Sequence, residues 1–73
     1  MPTNKELLII LLDELSEYHP DIAPSKDDTT EELLEKYFYW VDEYNDGYSN
    51  ELANPNASRF NKWIASERRN YNG

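Results

Sequence analysis

The chain has 73 residues, a net charge of −8 at pH 7 and no cysteine. We therefore expect one small domain spanning residues 1–73, without disulfide bonds or thiolate metal sites. Residues 1–53 carry 14 acidic and three basic side chains, a net of −11, which argues against direct binding to nucleic acid or to an anionic membrane because phosphate affinity comes from lysine and arginine. A protein partner with a basic surface is favoured instead.

The first helix is predicted from about residue 4 to residue 18. Thr3 and Glu6 have the spacing of a capping box, and Pro20 should end the helix. Helical periodicity directs one side toward a core, and the residues on that side are Leu7, Leu8, Leu11, Leu12, Leu15 and Tyr18. Ile9 and Ile10 fall outside it, which indicates either a helix buried all round or a contact with a partner or a second copy, as in a homodimer.

The apolar run at residues 7–12 is short and lies directly between Glu6 and Asp13. It does not fit a signal peptide or a membrane span. We therefore expect a soluble, cytoplasmic protein, in the host cytoplasm if it is viral. The loop that follows, PDIAPSKDD, contains two prolines that should keep it from being helical.

A second helix is predicted from about residue 30 to residue 45, capped by Asp28, Thr29 or Thr30 and ended by the sequence Asn-Asp-Gly at 45–47. Its predicted core side consists of Leu33, Leu34, Tyr37, Trp40, Val41, Tyr44 and Tyr48, with Phe38 at the edge. Four consecutive residues cover about 300° of a helix. The aromatic run YFYW at 37–40 therefore cannot face the core with all four rings.

Tyr39 is the member of this run that points away from the core. On a helical wheel five carboxylates surround it: Glu32, Glu35, Asp42, Glu43 and Asp46. One interpretation is a scattered exposed aromatic on a solvated acidic face. The other is an interface anchor, with carboxylates that steer a basic partner toward it. Under the second interpretation, these six residues are the predicted partner-binding site.

A third helix is predicted from about residue 55 to residue 70, with Asn54 as its cap and Pro55 at its first position. It should bury Ala57, Phe60, Trp63, Ile64 and Tyr71, with Glu67 at the rim or in a buried ion pair, and expose a basic stripe of Arg59, Lys62 and Arg69. A short helical turn is possible near 48–53, and no segment alternates with the period of a strand. The predicted fold is an all-α, small three-helix bundle.

No pattern in the chain predicts catalysis, a cofactor or a metal site, so we do not expect an enzyme. His19 is the only histidine, and a lone histidine is weak evidence for a general base or a metal ligand. The stretch 42–53 matches a calcium-binding loop at Asp42, Asp46, Gly47 and Asn50. It lacks two of the loop's side-chain ligands, including the final glutamate.

The tripeptide His19-Pro20-Asp21 lies between two predicted helices. This order resembles the helix–His-Pro-Asp–helix core of J-domain co-chaperones over about residues 5–45. The resemblance implies that the tripeptide engages a chaperone partner. The preceding helix is basic in that family, whereas here it carries Glu6, Asp13, Glu14 and Glu17 against one lysine, Lys5.

A second resemblance is to the small acidic immunity proteins that neutralise nuclease bacteriocins. It rests on DDTTEELLEKYFYWVDEYNDG followed by NPNASRFNKWIASERRNYNG. The resemblance implies a helical bundle whose acidic surface and tyrosines bind a basic nuclease domain. The adjacent tyrosines of that family's recognition helix are not matched by Tyr48-Ser49-Asn50-Glu51.

The sequence therefore predicts a non-enzymatic protein that binds another protein, and it favours an inhibitor or modulator of a basic, nucleic-acid-handling target. Compact, cysteine-free, highly acidic chains of this length are typical of phage-encoded inhibitors and DNA mimics, including anti-CRISPR and anti-restriction proteins. The alternatives are immunity-like nuclease inhibition, a J-domain-like chaperone-binding role, and a homo-oligomeric structural subunit.

Overall fold

The computed structural model describes residues 3–46 and 58–71. Within these two ranges the elements are α1 (Asn4–Ser16), a short 3-10 helix (Pro20–Ile22), α2 (Thr30–Tyr44) and α3 (Ser58–Asn70). No strand occurs in either range, and the prediction of a small all-α bundle of three helices is confirmed. The predicted cap and first turn at Asn54 and Pro55 and the predicted helical turn at 48–53 lie outside the described residues. The same holds for two predicted core residues, Tyr48 and Ala57.

The first two helices begin with the same capping box. In each, a threonine Oγ1 accepts a hydrogen bond from the backbone N–H three residues later, at 3.1 Å for both Thr3–Glu6 and Thr29–Glu32. The glutamate carboxylate in turn accepts from the threonine N–H. Two N–H groups that would otherwise lack partners are thereby satisfied at each helix start, and Thr29 is the cap among the three candidates.

The loop between α1 and α2 is held against α2 by Lys36. Its Nζ donates to the carbonyl of Ala23 at 3.1 Å and pairs with the Asp28 carboxylate. This hydrogen bond from Lys36, with a second from the Ser25 N–H, lowers the pKa of Asp28 below its ordinary value. The prolines do not exclude helical backbone here, because Pro20 occupies the first position of the 3-10 turn, where a missing N–H costs nothing.

Among the described residues, α2 is the largest contributor to the core and supplies six of the twelve buried apolar side chains. The twelve are Leu8, Leu11, Leu12, Ile22, Leu33, Leu34, Tyr37, Phe38, Trp40, Val41, Phe60 and Ile64. Phe38, predicted at the edge, is only 1% exposed, and its ring contacts that of Tyr71, with centroids 4.8 Å apart. The chain after α3 therefore closes the core over α2.

Two predicted core residues lie outside the core. Tyr18 is 79% exposed, because α1 ends at Ser16 and the helical wheel no longer describes the turn that leads to Pro20. Tyr44 is 45% exposed, because it occupies the last position of α2 and its ring stacks on His19 instead. Both errors fall at helix ends.

The helices do not approach one another equally closely. The backbones of α1 and α2 pack closely together, whereas those of α2 and α3 are farther apart and approach each other at few positions. Long side chains span the wider gap: Arg68 pairs with Asp42, and its guanidinium carbon lies 5.3 Å from the centroid of the Phe38 ring. The α2–α3 interface is therefore held by rings and an ion pair, with room for a surface groove between them.

We expect Phe60→Ala to destabilise the protein strongly, because Phe60 and Ile64 are the two buried side chains of α3. Truncating a buried phenylalanine costs about 3–5 kcal/mol, and a chain of this length has about 4–11 kcal/mol in total. Denaturant unfolding followed by circular dichroism measures the change. Lys62→Ala, at an exposed position, is the control and should change the free energy of unfolding by less than about 0.5 kcal/mol. Equal stabilities for the two variants would contradict this account of α3.

We expect Thr29→Ala to lower the free energy of unfolding by about 1 kcal/mol, because it removes the side-chain oxygen that caps α2. Thr30→Ala is the matched control, since it makes the same chemical change one residue later, inside the helix. The same unfolding measurement compares the two variants. If Thr30→Ala lowered the free energy of unfolding more than Thr29→Ala does, Thr29 would not be the residue that caps α2.

Candidate functional site

An exposed aromatic cluster lies where the end of α2 meets the loop after α1, and it consists of Tyr39, Tyr44 and His19. The Tyr44 ring stacks on the His19 imidazole, with centroids 3.9 Å apart and planes 15° from parallel. The Tyr39 ring meets Tyr44 edge to face at 6.0 Å. Both tyrosines remain close to half exposed, Tyr39 at 46%. The outward position predicted for Tyr39 is what the structure shows.

Hydrogen bonds hold Tyr44 in this cluster. Its hydrogen bond with the Tyr39 phenol, followed by that with the Asp21 carboxylate, raises the pKa of Tyr44 to about 12. The Tyr44 hydroxyl donates to Asp21 Oδ2 at 3.1 Å. Tyr44 is therefore a neutral hydrogen-bond donor throughout the physiological range, and it supports Tyr39 from the side.

The five carboxylates predicted around Tyr39 are all exposed, but two of them have contacts within the fold. Glu32 completes the capping box of α2, and Asp42 pairs with Arg68 of α3, whose Nη1 also donates to Asp42 at 3.3 Å. The other three, Glu35, Glu43 and Asp46, form no ion pair with any described residue. Their negative charge is not neutralised by any cation of the described residues.

The His-Pro-Asp tripeptide contacts Tyr44 of α2. His19 stacks on Tyr44, Asp21 accepts the Tyr44 hydrogen bond, and Pro20 starts the 3-10 turn. Sequence reasoning missed this link because it assigned Tyr44 to the core. The available signal was the position of Tyr44 three residues before Gly47, at a helix end that a neighbouring loop can reach.

The two isoleucines predicted as an oligomer contact have different environments. Ile9 is partly buried and packs against the core, whereas Ile10 is 52% exposed. The basic stripe of Arg59, Lys62 and Arg69 is exposed and makes no ion pair with a described residue. Arg68, which is not part of this stripe, forms the ion pair between α3 and α2.

We expect Asp21→Asn to lower the pKa of Tyr44 from about 12 toward its ordinary value of 10.0, because the variant removes a negatively charged acceptor. Tyr39→Phe should act in the same direction. NMR titration of the labelled tyrosine Cζ in the folded protein gives the value. Since the folded-state pKa is raised, the stabilising effect of the neutral phenol is present below pH 10 and is lost as the pH rises through about 12.

Asp27→Asn, an exposed carboxylate elsewhere in the loop, is the control and should leave the Tyr44 titration unchanged. A Tyr44 pKa that stays equally high in Asp21→Asn and in Asp27→Asn would show that Asp21 does not hold the phenol. In Asp21→Asn, the pH at which the free energy of unfolding falls on the alkaline side should decrease together with the Tyr44 pKa.

Neither a metal-binding group nor a membrane-crossing segment is found in the described part of the chain. Residues 3–46 and 58–71 contain no group of three or more histidine, aspartate or glutamate side chains placed to hold a metal ion. None of their helices has both the length and the apolar character needed to cross a membrane. In comparisons with known proteins, no family model, curated protein or solved structure matches this chain.

Proposed function

We propose that this is a non-enzymatic protein that binds another protein through the exposed side of α2, and that the partner presents a basic surface. The observation that carries this proposal is the exposed ring of Tyr39, supported by Tyr44 and flanked on the helix by carboxylates without a cation in the described chain. Glu35 and Glu43 lie one helical turn before and after Tyr39, which puts both beside its ring.

Tyr39 suits the role of an anchor for physical reasons. A tyrosine offers a large apolar ring with a hydrogen-bonding end, and such residues are enriched where binding energy concentrates. Its contact with Tyr44 already restricts the ring, so less side-chain freedom is lost on binding. Charge then supplies the long-range attraction, because unpaired carboxylates and a net charge of −8 accelerate the encounter with a cationic surface.

The target we propose is a nucleic-acid-handling protein, inhibited in the manner of phage-encoded inhibitors and DNA mimics and met in the cytoplasm. Proteins that bind nucleic acid expose clustered lysine and arginine for the phosphates. Exposed carboxylates spaced along α2 offer the same sign of charge to such a cluster. The protein would then occupy a groove that is otherwise filled by the phosphate backbone.

We expect Tyr39→Ala to weaken binding to the partner by about 30-fold, the loss typical of an interface anchor. The partner is first captured from lysate at low salt, identified by mass spectrometry and purified. Calorimetry then compares the wild-type protein with Tyr39→Ala, and with Tyr18→Ala as an exposed tyrosine control. Wild-type affinity in Tyr39→Ala would overturn the proposed surface.

Salt and competitor DNA test the mechanism. Raising the salt from about 0.1 M to 1 M shortens the Debye length from about 10 to about 3 Å, so an electrostatic complex should weaken steeply. A DNA mimic should also be displaced by a short DNA duplex that binds the same target.

The structural-subunit alternative is favoured by the exposure of Ile10. It replaces this proposal if the only assembly found is a homo-oligomer that is insensitive to salt and is disrupted by Ile10→Lys.

A further inference from the structure

A second surface feature lies between α2 and α3, on the N-terminal half of α2. It is an open groove of about 230 Å³, and its lining residues are Glu31, Leu34, Glu35, Phe38, Glu67, Asn70 and Tyr71. The groove exists because the backbones of the two helices stay apart while long side chains join them. We call it the α2–α3 groove.

The α2–α3 groove combines an apolar floor with an acidic rim. Leu34 and Phe38 belong to the core, and the partly buried Tyr71 packs its ring on Phe38. Glu31 and Glu35 stand one turn apart on α2 and face Glu67 of α3 across the opening. None of the three glutamates forms an ion pair or a side-chain hydrogen bond with another described residue.

This combination fits a cation carried on an apolar stem. Three carboxylates around one opening repel one another, and an entering positive charge relieves that repulsion. The partly buried ring of Tyr71 offers apolar surface to a methylene chain, with Leu34 at the base of the groove. At about 230 Å³, the groove is smaller than the roughly 300–1,000 Å³ typical of small-molecule pockets. A single side chain therefore suits its size better than a drug-sized ligand.

The same rings already hold a guanidinium within the fold. The guanidinium carbon of Arg68 lies 5.3 Å from the Phe38 centroid and 5.9 Å from the Tyr71 centroid, while its nitrogens bind the Asp42 carboxylate. Arg68 is not part of the groove lining. It shows that ring faces and a carboxylate together accept arginine here, through stacking and charge-assisted hydrogen bonds.

We propose that the α2–α3 groove receives an arginine side chain from the basic surface of the partner protein. This inference rests on the proposed function, because it names how one cation of that surface is held. Glu35 borders both the groove and Tyr39, since it lies one turn from Tyr39 on α2. A single partner surface can therefore contact the Tyr39 ring and fill the groove together.

The test uses the whole protein and a defined probe, the capped tripeptide acetyl-Gly-Arg-Gly-amide, with its citrulline counterpart as the uncharged match. In an NMR titration we expect saturable shifts at Leu34, Phe38 and Tyr71 with the arginine peptide. The citrulline peptide should bind about tenfold more weakly, because it keeps the shape but loses the charge. Equal binding of the two peptides, or arginine-induced shifts spread over every acidic patch, would overturn the proposal.

Two double variants distinguish binding of the arginine peptide in the groove from its attraction to the net negative charge of the protein. Glu31→Gln with Glu67→Gln should weaken binding of the arginine peptide by about tenfold. Glu14→Gln with Glu17→Gln removes the same charge from exposed positions at the end of α1 and should leave binding nearly unchanged. Equal losses in the two pairs would show that net charge, and not the groove, attracts the peptide. Concentration-dependent shifts at the groove without peptide would assign it to a second copy instead.

The two proposals fail in different ways. If Tyr39→Ala abolishes binding to the purified partner while the Glu31 and Glu67 pair leaves it intact, the proposed function stands and the groove assignment is wrong. If the groove binds the arginine peptide but Tyr39→Ala leaves partner binding intact, the groove stands and the Tyr39 surface is wrong.

Discussion

Tyr37 and Phe38 are consecutive residues of α2, and both are almost entirely buried. Neighbouring helical residues point about 100° apart, so burying both requires partners on two sides of the helix. α1 and the 3-10 turn pack against one part of α2, and the α3 segment with Tyr71 covers another. The opposite side of α2 remains exposed and carries its acidic residues together with Tyr39. The acidic surface around Tyr39 is thus a geometric consequence of how the core is built.

Much of this arrangement could be predicted from the sequence, because it depends on local rules. The capping box at Thr3 follows from two residues three apart, and the outward position of Tyr39 follows from helical geometry alone. The burial of Phe38 could not be fixed in that way, since it depends on where Tyr71 of a distant segment lies. Wheels fail in the same manner at helix ends, where the partner of Tyr44 is a loop residue, His19.

The α2–α3 groove could not be predicted from the sequence, because it too depends on how separate segments of the chain are placed. A wheel reports the direction of a side chain on its own helix, but not the distance between two helices. Glu67 was predicted at the rim of α3 or in a buried ion pair, and it is half-buried without an ion pair to a described residue. Nothing in the sequence indicated that Glu31 and Glu35 of α2 line the same opening as Glu67 of α3. The packed Phe38 and Tyr71 rings line the same opening, with centroids 4.8 Å apart.

If the proposed cationic partner binds, the carboxylates without an ion pair make the stability of the fold depend on that binding. Only two ion pairs join residues within the described ranges, so the free protein contains electrostatic self-repulsion that favours a looser state. A cationic partner would remove part of that repulsion and, by mass action, raise the midpoint of thermal unfolding. Added salt should therefore have opposite effects on the two forms: it would screen the repulsion and stabilise the free protein, while it weakens the attraction and dissociates the complex.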